Sequence, residues 1–313
     1  MGKNAWKGHT AMFSANLMWG LMSPLAKVVM VSGAVTPLVL NDLRIFGAAV
    51  LFWIVSWFSP AEHVPPKDLA KLFGASLLAI VFNQGCFIFG VGLTSPSDAS
   101  IISTSMPLWA MVLAAFFLKE PITGKKIAGI VAGACGALLL ILGEGKAAAD
   151  SQTGSSVWGD LLVLTAQLSY ASYIVLFKHF VGRYSLVTIM KWMFLFAAVC
   201  VLPFSAGDLW HTSWMQLDGS AAGAIAFIVV GATFFSYILV VVGQKTLRPT
   251  VAGMYNYIQP LVACAVAVWL GLDNFGATKV LAAVLIFSGV YLVTASRSRA
   301  ETEASAGESR PGK

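Results

Sequence analysis

Apolar residues run almost unbroken through ten stretches of the chain, near 10–31, 38–58, 70–92, 96–118, 125–142, 157–180, 186–204, 220–243, 249–270 and 277–295. A helix rises 1.5 Å per residue and needs about 20 apolar residues to cross a bilayer, so each stretch predicts one transmembrane helix. The first stretch is too long for the apolar core of a signal peptide, roughly 7 to 15 residues, and is expected to stay as a helix. Polar breaks between stretches are short apart from a Gly/Ser-rich connector, Gly143 to Ser156, after the fifth. The tail beyond Ala300 is polar and expected to be disordered.

The two halves repeat one another. At an offset of 153, Phe82 meets Phe235, Gly90 meets Gly243, Pro96 meets Pro249, Pro107 meets Pro260, Lys126 meets Lys279 and Gly136 meets Gly289, while Glu120 faces Asp273. At an offset of 151, Trp19 falls on Tyr170 and Lys27 on Lys178. An odd number of spans per repeat forces the second copy to enter the membrane from the other side, which gives an inverted pair about an axis in the membrane plane. The expected fold class is all-α integral membrane, ten transmembrane helices as two inverted five-helix repeats. The expected organisation is a first repeat at 1–143, a connector at 144–156, a second repeat at 157–296 and a tail at 297–313.

Composition agrees: 58% of residues are hydrophobic and 11% charged, with a mean hydropathy of +0.80, against about 25% charged in a soluble domain. The net charge of +6 does not point to nucleic acid, because the basic residues stand singly or in pairs between apolar runs. With the amino terminus inside, 15 of the 20 lysines and arginines fall in cytoplasmic segments and only Lys146 and Lys279 in outer loops, which predicts both termini on the cytoplasmic side of a plasma (bacterial inner) membrane. Cys86, Cys135, Cys200 and Cys264 each lie within an apolar run and are expected to be buried free thiols.

With these patterns in view the chain resembles the drug/metabolite transporters of the EamA type over about residues 10–296. The resemblance rests on Trp19-Gly20 followed by Lys27, on Arg44, on Ser95-Pro96-Ser97-Asp98-Ala99, and on Pro107 through Lys119-Glu120-Pro121. The second half repeats Arg248-Pro249 and Pro260 but departs at Gly271-Leu272-Asp273-Asn274. The resemblance implies ten helices and export of amino acids or related metabolites.

Candidate chemistry sits in polar stripes within apolar helices. Asn16, Trp19, Ser23 and Lys27 share one face of the first span. That face lines a cavity or bonds neighbouring helices, with Lys27 either at a mouth or snorkelling to headgroups. Asn83, Gln84 and Phe87 in the third span match Ser236 and Tyr237 in the eighth. Buried amides there either pin helices together or line a solvated cavity. Pro107 and Pro260 each free a carbonyl one turn earlier, at Ser103 and Asn256, so the fourth and ninth spans are expected to bend beside a site or merely to pack. The proposed ligand contacts are Asn16, Trp19, Asn83, Phe87, Ser103, Tyr170, Tyr237, Tyr255, Asn256 and Gln259. Lys27, Asp42, Arg44, Pro107 and Pro260 are assigned to gates or mouths, with Asp42 and Arg44 neutralising each other or a neighbour, or Arg44 serving a structural tie.

None of the 14 acidic residues falls at an expected midplane, and no histidine falls at a span centre. That argues against proton coupling, a metal centre or a cofactor. The reading is therefore a secondary transporter with a central, uncharged cavity, a small-molecule substrate and the lipid bilayer as partners. A channel-like or structural protein is the alternative, and a membrane enzyme is less well supported because no nucleophile, acid–base pair or metal cluster is grouped at one interface.

Overall fold

A computed structural model describes residues 3–33, 35–118, 123–143, 156–181, 183–212, 214, 217–247, 255–274 and 276–294. The described residues form ten helical spans. The first repeat contains α1 (Lys3–Val31), α2 (Pro37–Trp57), α3 (Pro66–Leu93), α4 (Pro96–Phe117) and α5 (Gly124–Gly143). The second contains α6 (Val157–Val181), α7 (Leu186–His211), α8 (Gly219–Thr246), α9 (residues 255–269) and α10 (Ala277–Thr294). Six of these, α2, α3, α4, α6, α7 and α8, are individually long and apolar enough to cross a bilayer. The expected fold class holds; α7 runs to His211, beyond its expected end near 204. The expected tail and nearly all of the connector lie outside the described residues.

Local chemistry explains several helix starts. Thr36 caps α2 and Ser95 caps α4, each followed by a proline in the first helical turn, where the missing N–H costs nothing. The Ser95-Pro96-Ser97-Asp98 motif is thus a helix start: Ser95 Oγ accepts from the Asp98 N–H at 3.1 Å. Trp57, Trp158, Trp210 and Trp269 stand exposed at helix ends, where indole rings suit the lipid interface.

Packing follows the repeat. The most extensive contacts join α1 to α8 and α9, α6 to α3 and α4, α2 to α7, and α5 to α10. Exchanging the two halves turns this set into itself, which is the mark of a two-fold relation. Aligned glycines make the closest crossings. A Cβ at Gly90 would lie 2.8 Å from the Gly159 carbonyl, and its repeat mate Gly243 meets Gly8 and Met12 on α1. A Cβ at Gly136 would lie 2.8 Å from the Ala282 carbonyl, and Gly289 returns the contact against Gly133. Small residues let membrane helices approach where no hydrophobic force drives them together.

Two irregularities were not legible in the periodicity. α3 is π-helical over Leu77–Phe82 and α8 over Phe227–Phe235, ending at residues matched in the repeat. An inserted residue turns every later side chain by about 100°, and such bulges concentrate at functional sites. Here they bring Asn83-Gln84 and Ser236-Tyr237 round to the interior. α4 is broken at Thr104-Ser105, and α9 opens with a single tight turn, Tyr255–Tyr257, at the corresponding place.

Candidate functional site

Between the repeats lies a cavity of about 540 Å³ whose walls come from both halves: Trp19 and Ser23 of α1, Arg44 of α2, Asn83, Gln84 and Phe87 of α3, and Ser100, Ser103, Thr104 and Pro107 of α4 on one side. Gln167 and Tyr170 of α6, Tyr237 of α8, Asn256, Tyr257 and Gln259 of α9, and Tyr291 of α10 supply the other. That size suits one small molecule.

Most polar groups in this wall are held by a neighbour. Trp19 Nε1 donates to the Ala232 carbonyl at 3.0 Å, a bond made within the π stretch of α8. Asn83 Nδ2 donates to the Ala166 carbonyl at 2.8 Å. Gln167 Nε2 donates to Ser103 Oγ at 3.3 Å, and Gln259 Nε2 donates to Asn16 Oδ1 at 2.7 Å. Gln84 Nε2 reaches Tyr237 Oη at 3.4 Å, a bond between residues matched in the repeat and so a contact across the pseudo-two-fold axis. Trp19 and Tyr237 meet edge to face with ring centroids 6.2 Å apart.

Of the fifteen residues singled out from sequence, Trp19, Asn83, Phe87, Ser103, Tyr170, Tyr237, Asn256, Gln259, Arg44 and Pro107 line the cavity. Asn16 is buried behind it and orients Gln259. Tyr255 lies outside it, with its hydroxyl 2.7 Å from His9 Nδ1, a tie between α9 and α1. Pro260 is buried in packing. Lys27 is 2% exposed and donates to the Gly92 and Thr94 carbonyls at 2.9 Å each, so it caps the end of α3 and does not snorkel.

Three expectations about charge need correction. Arg44, assigned to a gate or mouth, is among the residues that line the cavity, so the cavity wall is not uncharged. Asp42 does not neutralise it, since neither carboxylate oxygen of Asp42 nor Nη1 of Arg44 has a hydrogen-bond partner among the described residues. Asp42 lies instead beside Ser205 of α7. Lys279 is not in a loop: it is 2% exposed at the start of α10, with Nζ 2.6 Å from Asp273, 3.3 Å from Asp98 and 3.1 Å from Ser95 Oγ. This ion cluster ties the start of α4 in one repeat to the α9–α10 loop and the start of α10 in the other. The six-residue spacing of Glu120 to Lys126, repeated as Asp273 to Lys279, was the available signal; Glu120 itself lies outside the described residues. The four cysteines are free thiols but not fully buried as expected: Cys86, Cys200 and Cys264 are half-buried and Cys135 is exposed.

The lining residues outside those fifteen include Ser100, Thr104, Gln167, Tyr257 and Tyr291. Thr104 and Tyr257 sit at the two helix breaks and were reachable from the aligned prolines. Tyr291 carried no signal, since α10 reads as uniformly apolar. A second hollow of about 600 Å³ opens at the end of α1 and α7, with Asp208, His211 and Asp218 in its walls.

A membrane-embedded cavity enclosed by two inverted five-helix repeats defines a class of small-molecule transporters. The chain matches the model of the EamA-like transporter family over residues 6–142 and 157–295 and belongs to that family. It is 26% identical to the uncharacterized transporter YoaV of Bacillus subtilis, over 91% of this chain and 96% of that protein. It is also 26% identical to a protein of Escherichia coli named a probable amino-acid metabolite efflux pump, over 88% of this chain and 91% of that one. An S-adenosylmethionine uptake transporter of Rickettsia bellii is 23% identical over 71% of this chain and 72% of its own length. A solved crystal structure superposes with a TM-score of 0.61 at 18% identity, covering 92% of this chain and 96% of that one, a likeness of fold. The protein is a multi-pass membrane transporter of small molecules.

Proposed function

We propose that this transporter is a secondary carrier of small metabolites, amino acids or their relatives, which works by rocking its two repeats about the central cavity, with both termini cytoplasmic and no chemical step. The repeats are proposed to end near residues 143 and 296. The observation that carries the reading is the cavity itself, whose walls are drawn from both repeats and whose two helix breaks, at Thr104-Ser105 and Tyr255–Tyr257, are matched in the repeat. An inverted pair has two arrangements of similar energy, open to one side or the other. Trp19 and Tyr170 pack on the ligand, and Asn83, Asn256 and Gln259 offer it hydrogen bonds. The relative named as an amino-acid metabolite efflux pump supports the substrate class.

The cavity wall holds no carboxylate among the described residues, which favours facilitated diffusion or exchange over tight proton coupling. The test is amino-acid flux in proteoliposomes, with and without an imposed pH gradient. Exchange that saturates and ignores the gradient is expected; accumulation driven by the gradient overturns the energetic part. Cysteines placed at Ser103 should label from one side at a time, whereas simultaneous labelling from both sides would mean a channel.

A further inference from the structure

Among the described residues, Arg44 has no ion-pair partner. Its side chain lies in the wall of the cavity and the residue is only 4% exposed. Nε donates to Thr233 Oγ1 at 3.2 Å, while Nη1 has no partner among the described residues. Thr233 is committed to this role, because its own proton goes to the Ile228 carbonyl at 2.8 Å, five residues back and within the π stretch of α8. The local distortion of α8 therefore supplies the acceptor that aims the guanidinium.

The acids nearby do not serve as counter-ions. Asp42 makes no hydrogen bond to Arg44, and Asp98 and Asp273 are engaged by Lys279. A guanidinium does not shed its proton to escape burial, and an uncompensated charge inside a membrane domain is costly. The rest of the wall cannot balance it: amides, hydroxyls and the faces of Trp19, Phe87, Tyr170 and Tyr237.

We infer that Arg44 anchors an anion site, and that the ligands of this cavity are small organic acids whose carboxylate meets Arg44 while an apolar body lies against Trp19, Phe87 and Tyr170. One guanidinium balances one negative charge, which suits a monocarboxylate better than a phosphate dianion, and its planar fork matches two carboxylate oxygens. The inference deepens the carrier reading, but binding can be measured apart from flux.

The experiment uses the purified full chain in detergent and two matched sets of probes: 3-phenylpropanoate, 3-phenylpropanamide and 3-phenylpropylammonium, and hexanoate with hexanamide. Thermal stabilisation and tryptophan fluorescence read the affinity. Each acid should bind roughly tenfold to a hundredfold more tightly than its amide, the span expected of one charge-assisted pair, and the ammonium probe should not bind. Arg44→Gln should erase the preference for acid over amide, Arg44→Lys should keep part of it, and Lys71→Gln, an exposed control, should leave it unchanged. Amides that bind as well as acids, the absence of binding by either acid, or an acid preference that survives in Arg44→Gln each overturn the inference. If Arg44→Gln does not fold, the acid–amide comparison on the unaltered protein and on Arg44→Lys decides. Acid binding without flux in proteoliposomes removes the carrier reading and leaves this one; flux with no preference for acids does the reverse.

Discussion

Lys27 and Glu62 show how differently two charged side chains can serve one fold. Lys27 was legible as a charge on a helical stripe, but its partners, the Gly92 and Thr94 carbonyls, lie on another helix and became known only from packing. Replacing it with methionine removes the two charge-assisted hydrogen bonds that tie α1 to the end of α3, and the melting temperature should fall by the equivalent of about 1–3 kcal/mol. Glu62 lies between α2 and α3, where its carboxylate accepts from the Ser185 N–H at 3.0 Å and from Ser185 Oγ at 2.9 Å. Hydrogen bonding, from Thr188 above all and then from Ser185, holds that carboxyl below its usual range. A depressed carboxyl contributes stability above its unfolded value, near 4.3, and loses it as the pH falls through the folded value. Wild type should therefore melt higher than Glu62→Gln at pH 7, with the difference shrinking as the pH falls below the unfolded value and through the folded one. A difference that stays constant across that range would show that the bond contributes nothing through ionisation.

Helix positions, the matched prolines and the aligned glycines could all be read from hydrophobic periodicity and self-comparison, because each is a local property of the chain. What the glycines touch could not. Gly136 packs against the Ala282 carbonyl, 146 residues away in sequence, and a valine there would drive α5 from α10 at a crossing that Gly289 shares. Gly136→Val should lower stability by about 1–3 kcal/mol or more, whereas the same change at Gly207, which has open space around it, should be mild by comparison in the same unfolding assay. The π stretches of α3 and α8 escaped sequence reading because an extra residue per turn does not disturb an almost uniformly apolar run. Only the packing decides where that residue is absorbed, and with it which way Gln84 and Tyr237 face.

Across the molecule, the charges at the face away from the amino terminus matter most. Lys279 bridges Asp98 of the first repeat and Asp273 of the second, so the cluster spans the seam along which the repeats must part if they rock. Breaking a buried ion pair by removing one partner costs about 3–5 kcal/mol, because the other charge is left uncompensated. Lys279→Met should therefore weaken the closed arrangement on that face. A cysteine at Ser103 in this background should label faster from that side than it does with Lys279 intact; an unchanged rate would show that the cluster is structural cement and not a latch.

Sequence alone determined the solvent, the number of spans, the repeat and the inverted relation of the halves, since each follows from run length, residue spacing and an odd span count. It also supplied ten of the residues that line the cavity, because polar groups on apolar helices have to turn inward. Tertiary structure decided which charges meet. Arg44 turns to the cavity and Asp42 turns away, though only one residue separates them, and Lys279 leaves an expected loop for an ion cluster. Those choices depend on which distant helix packs alongside, and a one-dimensional pattern carries the period of a helix but not the identity of its neighbour.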